Sequence, residues 1–590
     1  MAQPNTLEQY NLVWESQSLN SSESMPCGGG DIGLNVWVEN GDIFFYIARS
    51  GTFDENNSMP KLGRIRLKCS PNPFDGKIFR QELNLETGSI TMSGQNGNHT
   101  AEVQIWVDVF SPVIHVETES NQNINIEVIY ENWRFEDRLL QENESYGNSY
   151  KWAPPEGLKT KKDEIGFRDK SVLFYHKNTG ETVFDVSVQQ QRMESVKNLM
   201  FDPVRNLTFG GKLEGDGFIP AGNTEGEYLS FGYKGWKIRS ESPVRKQSFE
   251  IYLHTGQYEN RTDWDSVLES LISEYKRRKL TARSETLNWW QNYWDRSFIY
   301  VNPENENSDS PEWQVGRNYQ LFRYMLGCNA YGCYPTKFNG GLFTYDAQFT
   351  NPSRPFNADF RNWGGGTFTA QNQRLVYSPL FKSGDFDMLP AQLDFYRRTL
   401  KNAELRSQVY WGHDGACFTE QIDNFGLPNC SEYGWKRPRG YDPGMMYNAW
   451  LEYLWDTSLE YCQMALQLYQ YNDEDISDYI PFIESCLTFF DEHYQYLAEN
   501  RGTKTLDENG HLILYPGSAC ETYKKAYNAT STIAALKTVV EGLLDLPDHY
   551  LDDDKREKWQ RFLQKIPPIS FQGFEGHKTI APAESWERVN

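Results

Sequence analysis

The sequence has few of the patterns that announce an enzyme class. It contains no HExxH and no paired CxxC, so no metal site can be read from spacing, and its nine histidines are scattered. It has no GxSxG elbow to support a serine hydrolase. Of nine cysteines only Cys328 and Cys333 lie close together, an odd total that gives no disulfide framework and leaves the redox compartment open. Basic residues are outnumbered, 58 Lys+Arg against 81 Asp+Glu, for a net charge of −23. That field argues against nucleic acid and anionic membranes as partners. No apolar run nears the roughly 20 residues a membrane helix needs, and mean hydropathy is −0.69, so no membrane insertion is expected. The first twenty residues lack a basic stretch followed by an apolar one, so no signal peptide is visible.

Aromatic residues, by contrast, are abundant: 18 Trp, 35 Tyr and 34 Phe, 15% of the chain. Most will be core, but aromatic faces also stack on the C–H faces of sugars. At 590 residues the chain exceeds a single core and predicts a multidomain protein. From Val13 to Tyr252 short runs rich in Val, Ile, Phe and Tyr alternate with Gly, Asn and Pro turns, and no helical period interrupts them. Val103, Ile105, Val107 and Val109 alternate as in a half-buried strand. An N-terminal antiparallel β-sandwich over 1–255 is the economical reading.

The pattern changes at Trp264, Leu268, Leu271 and Tyr275, whose spacing predicts an amphipathic helix. Residues 262–297, with Trp290 and Trp294 on one face, read as helical linker within 256–300. Beyond, 301–590 reads as helices joined by long loops. Ser310 and Pro311 suit a helix start, with Val315, Tyr319, Phe322 and Leu326 as its apolar face. Further helices are expected over 375–400, 445–471, 477–497 and 530–546. Loops such as 336–366 and 419–444 are dense in Gly, Asn, Asp and aromatics, and loops that long usually carry function. Alternating short and long connections suggest a toroid of helical hairpins. A closed ring would need roughly 350 residues, so the toroid is expected to be incomplete at the C-terminus.

The residues left to do chemistry are carboxylates and amides on those loops: Asp346, Asp359, Asn372, Glu420, Asp423 and Glu521. Each alone is more often a turn or cap residue. Glycoside hydrolysis, however, needs an acid at the leaving oxygen and a group opposite to activate water. Glu521, between Cys520, Thr522 and Tyr523, has few local charges and suits proton donation. Trp363 and Trp411 could bind sugar beside these groups.

Five blocks resemble glycoside hydrolase family 95, which includes α-L-fucosidases and α-L-galactosidases. MPCGGGDIGLNVW near the start resembles its P-x-G-x-G-x-x-G block, and PTKFNGGLF its P-x-N-L-Q-G-x-W motif. TAQNQRLVYSP lines up with T-N-x-N-L-Q-M-N-Y-W-P, and GACFTEQIDNFG has the spacing of G-W-x-x-H-H-N-T-D-x-W-G. PGSACET is similar to P-S-x-S-P-E-N and puts Glu521 on the family's general acid. The order implied is β-sandwich, helical linker, then an (α/α)6-type toroid. By this resemblance the protein is a distant relative, an inverting exo-acting glycoside hydrolase releasing an L-fucose-like or L-galactose-like sugar from glycans or plant polysaccharide. Glu521 and Asn372 are then the catalytic residues, with Trp363, Trp411, Glu420 and Asp423 binding substrate and no cofactor or metal required. Two positions depart from the pattern: Ala370 replaces the first site asparagine and Glu420 the second histidine. The carboxylate that assists the water in the family is expected beyond residue 590. A periplasmic or secreted location is expected, with the cytoplasm open. Alternatives are a non-catalytic glycan-binding relative, a polysaccharide lyase and a glycoside phosphorylase. The loops carry few clustered cations for phosphate, and the lyases commonly put the toroid first.

Overall fold

The computed structural model describes residues 6–303, 307–337, 341–363, 365–434 and 437–589. Phe338, Asn339 and Gly340 of the block at 335–343 lie outside them. The chain forms two compact units: 1–182, 204–365 and 383–388 in the first, 183–203, 366–382 and 389–590 in the second. The α-helices are α1 (Val183–Gln190), α2 (Arg261–Arg296), α3 (Pro311–Gly327), α4 (Ala370–Ser383), α5 (Pro390–Trp411), α6 (Ser431–Gly434), α7 (Thr457–Asn472), α8 (Ile480–Asn500), α9 (Thr530–Leu544) and α10 (Asp553–Lys565). No helix among the described residues is long and apolar enough to cross a membrane.

Unit 1 is built on antiparallel strands, as the alternation predicts, but they form one continuous 15-stranded sheet rather than two separate ones. The cause is a 20-residue strand, Val113–Asn132, that belongs to both halves. Its first part pairs with His99–Val107 and Val244–Gln257. Its second part pairs with Arg64–Ser70 and Phe231–Ser240. The halves still face one another: Gln81 Nε2 of one donates to the Val36 carbonyl of the other at 3.2 Å, and Tyr130 stacks on Phe174 at 4.2 Å. Val103, Ile105 and Val107 point into this interior, so the neighbouring Glu102, Gln104 and Trp106 point outward.

The predicted linker is one 36-residue helix, α2, and it packs on the sheet. Trp264, Leu268, Ile272, Tyr275 and Ala282 bury against Trp106, Val113, Leu173 and Tyr252. Ile272 takes the inner position that the spacing gave to Leu271. In α3 the expected apolar face is turned outward at Val315 and Phe322, which are exposed. The buried face carries Gly316, Gln320, Arg323, Tyr324 and Gly327, and of the expected face Leu326 joins it. The glycines explain the choice: a Cβ at Gly327 would stand 3.0 Å from Trp290, and one at Gly316 2.4 Å from the Tyr10 hydroxyl. Arg323 is affordable inside because Asp385 pairs with it at 3.1 Å and Tyr293 lies under its guanidinium at 4.3 Å.

Unit 2 is helical, and its members differ from expectation in three places. α1 interrupts the predicted all-β region. The helix expected over 445–471 begins only at Thr457, because Asn448 caps Trp450 N–H in a turn and Tyr453 adopts φ +61°. α10 follows, with Asp552 accepting Lys555 N–H at 2.9 Å as its N-cap. Around α8 and α9 the helices pack in succession: α5 on α8, α8 on α7, α7 on α9 and α9 on α10. Asp552→Ala is expected to cost about 1 kcal/mol, read as a lower Tm for the transition that melts α10.

Candidate active site

The site is assembled at the start of α4. Strand Thr367–Thr369, just before it, pairs antiparallel with Gln421–Asp423, so Thr367 faces Asp423 and Thr369 faces Gln421. This short ladder lays the 369–379 block alongside the 415–426 block. A helix start leaves backbone N–H groups unsatisfied and favours negative charge. Here the fully buried Glu420 meets that need: its carbonyl accepts Ala370 N–H at 2.9 Å and its Oε1 accepts Gln371 N–H at 3.1 Å. Asp423, also fully buried, accepts the Thr367 hydroxyl at 2.7 Å and closes a turn with Gly426 N–H at 2.8 Å. These two acids hold the ladder and the helix end together.

Glu521 comes to the same helix end from a different direction. It sits in the turn of a hairpin, Gly517–Ala519 with Tyr523–Ala526, where Cys520 adopts φ +57°. Glu521 is half-buried, and its Oε1 accepts the side-chain amide of Gln371 at 2.5 Å. Gln371 thus touches Glu420 with its backbone and Glu521 with its side chain. One helical turn on, at i+3 and so on the same face, Arg374 pairs with Glu460 at 2.7 Å. Glu460 lies in the first turn of α7. Burial raises its pKa to about 7; Arg374 opposes the shift and buried Asp456 adds to it. The Cys520 thiol is raised chiefly by desolvation, with the charges of Asp456, Glu460 and Glu521 adding to the shift and Arg374 opposing it.

The hairpin is held from beneath by Lys524. Its ammonium is fully buried and donates to the Trp450 carbonyl at 2.9 Å, the Glu452 carbonyl at 3.2 Å and the Ser518 hydroxyl at 2.8 Å. Burial lowers its pKa to about 8, with the Glu452 and Glu521 charges acting the other way. Trp450, tied to the hairpin through Lys524, exposes 54% of its surface, and Trp586 rests on Tyr523 at 4.8 Å.

Of the residues expected in the site, Glu521, Glu420 and Asp423 therefore gather about one helix end, with half-buried Asn372 beside Gln371 on that helix. The amide that meets Glu521 is Gln371, not Asn372. Trp411, the last residue of α5, is 7% exposed; its N–H reaches Asp442 at 3.2 Å and its ring packs on His493 at 4.2 Å. Trp363 belongs to unit 1, half exposed with φ +66°. Sequence reasoning passed over Gln371, Arg374, Glu460 and Trp450. Glu460 had a signal: it is the single acid of α7, set between Leu459 and Tyr461. Among the described residues no group of three or more His, Cys, Asp or Glu is placed to hold a metal ion.

Residues 13–299 match the model of a domain of unknown function, DUF5703. No curated protein matches the chain. Among solved structures it is similar to a candidate kojibiose phosphorylase from the human microbiome, at TM-score 0.50 and 11% identity, over 96% of this chain and 71% of that one. A bacterial glucoamylase complexed with acarbose follows at TM-score 0.40 and 9% identity, over 94% and 69%. An α-mannosidase of family GH92 from Bacteroides thetaiotaomicron, in complex with mannoimidazole, stands at 0.33 and 8%, over 92% and 62%. None of the three carries the family 95 name. The first of them establishes the fold: a large antiparallel sheet domain with a helical part after it, as in a protein named for work on a sugar.

Proposed function

We propose that the protein is a glycoside hydrolase that releases a terminal sugar from an oligosaccharide or polysaccharide with inversion, and a distant relative of family 95 with an (α/α)6-type helical domain. In this reading Glu521 gives its proton to the departing glycosidic oxygen while water attacks the anomeric carbon from the other face. The water's proton passes to the Glu460 carboxylate, and the product is the inverted hemiacetal. The observation that carries the proposal is the convergence of Glu521 and Glu460 on one face of α4, through Gln371 and Arg374. A base works best when its pKa lies near the working pH, and about 7 suits Glu460. Glu460 also supplies, within this chain, the second carboxylate that the resemblance put beyond residue 590.

The exposed ring of Trp450 is the sugar platform in this scheme. Trp450→Ala is expected to raise KM about 5–10-fold with little change in kcat, since stacking of that kind contributes about 1 kcal/mol. A similar fall in kcat instead would take Trp450 out of binding. The function itself is tested by a screen of α- and β-glycosides of L-fucose, L-galactose, L-arabinose and common D-sugars, following the first-formed anomer by proton NMR. Release of an inverted sugar supports the proposal. Phosphate-dependent release, or an unsaturated product, would replace it with a phosphorylase or a lyase.

A further inference from the structure

The outward face of unit 1 carries a second concave site, about 690 Å³ in volume, between strands His99–Val107, Val113–Asn132 and Val244–Gln257 and helix α2. Strand register makes its floor a grid. The innermost row is Trp106, His115 and Glu250, with His115 opposite both neighbours. The next is Gln104, Glu117 and Ser248, and the outermost Glu102, Glu119 and Lys246. Tyr275, Lys279 and Arg283, spaced i, i+4 and i+8, form the α2 wall above the inner row.

The inner row is fixed. His115 stacks on Trp106 at 3.8 Å, shares a 2.8 Å hydrogen bond with the Tyr275 hydroxyl, and is kept neutral by burial and by the nearby Lys279 and Arg283, with a pKa of about 3. Lys279 is paired with Glu250, and Lys246 with Glu119 at 2.9 Å. Arg283 is different. Its guanidinium lies over Trp106 at 4.7 Å, and its Nη1 is buried with no hydrogen-bond partner among the described residues. Nη1 itself is sealed from solvent, but Arg283 as a whole is only half-buried and makes no hydrogen bond or ion pair among the described residues, so the outer edge of its guanidinium is open to an acceptor in the groove.

Charge decides what acceptor. Glu102, Glu117, Glu119, Glu250 and Asp216 line the groove against Lys246, Lys279 and Arg283. An anion would meet more carboxylate than cation, and a cation would meet Arg283. A neutral ligand with many hydroxyls meets neither penalty, because each hydroxyl both donates to a carboxylate and accepts from an N–H. We propose that this groove binds a neutral oligosaccharide segment, with Arg283 donating to its hydroxyl or ring oxygen and Gln104 and Glu117 bonding its next hydroxyls. The groove lies wholly in unit 1, and the proposal holds whether or not Glu521 is catalytic.

The test uses the full chain carrying Glu521→Gln, so that no probe is consumed, titrated with maltohexaose, cellohexaose, xylohexaose and hexagalacturonate by calorimetry and saturation-transfer NMR. At least one neutral hexamer is expected to bind and the galacturonate to bind more weakly. Arg283→Gln or Gln104→Ala should weaken that binding about tenfold, the loss of one or two hydrogen bonds to a ligand. The titrations are repeated with Trp450→Ala added, which weakens binding at the Glu521 site, so that the binding lost on the groove changes is the groove's own. Gln104 is half-exposed on a strand, so its variant folds even where the Arg283 change disturbs α2. Tighter binding of the galacturonate, no binding of any neutral hexamer, or binding indifferent to both groove variants would overturn the proposal.

Discussion

Glu521→Gln is expected to lower kcat on an unactivated glycoside by roughly 10²–10⁴-fold, the usual worth of a general acid. The substitution keeps the side chain's size and leaves an oxygen for the Gln371 amide, now 2.5 Å from Glu521, so the hairpin should keep its shape. Glu521 is only half-buried, in a turn. Stability should therefore change by no more than about 0.5 kcal/mol. Were Glu521 merely a turn residue, the same change would act through folding and leave the rate per folded molecule nearly intact. Rates should accordingly be compared at matched folded fraction, with the melting curve recorded alongside.

The second large effect is expected at Glu460. A base must be ionised to take a proton from water, so kcat/KM of the unmodified protein should rise with pH through about 7, the pKa that burial gives this carboxyl. Glu460→Gln removes the proton acceptor. It should abolish that limb and lower the rate by roughly 10²–10⁴-fold across the range. Arg374→Met should move the limb the other way from a simple loss. Without the cation that favours the ionised form, the Glu460 pKa rises further and the limb shifts to higher pH. A limb near 7 that survives in Glu460→Gln would assign the ionisation elsewhere.

How far the sequence went is clearest at particular residues. Period-2 alternation at Val103, Ile105 and Val107 announced the strands. It could not say that Val113–Asn132 runs on through both halves, because strand length across a bend depends on partners far away in the chain. The 3.6 period found α2 almost to the residue, since Trp264, Leu268 and Tyr275 face a sheet. It misplaced the face of α3, where Gly316 and Gly327 let Tyr10 and Trp290 approach and Arg323 goes inside with Asp385. In the site, the blocks holding Asn372, Glu420, Asp423 and Glu521 were legible because motif spacing fixes position along the chain. Which neighbour points at Glu521 is set by helix phase, and phase selected Gln371. Glu460 was hidden because it belongs to a helix rather than a loop, and its burial arises from elements more than fifty residues away. Trp411 looked like a sugar platform until its ring was found covered by His493, Phe489 and Trp455.

The central claim is a division of labour between Glu521 as acid and Glu460 as base, and a leaving-group comparison tests it most directly. Both Gln variants would be assayed on a natural glycoside and on a nitrophenyl glycoside of the same sugar, whose leaving group departs without a proton. The account predicts that Glu521→Gln recovers much of its activity on the nitrophenyl substrate. Glu460→Gln should lose as much on one substrate as on the other, because water still has to be activated. Recovery by Glu460→Gln alone would exchange the two roles, and small equal losses in both variants would contradict the account.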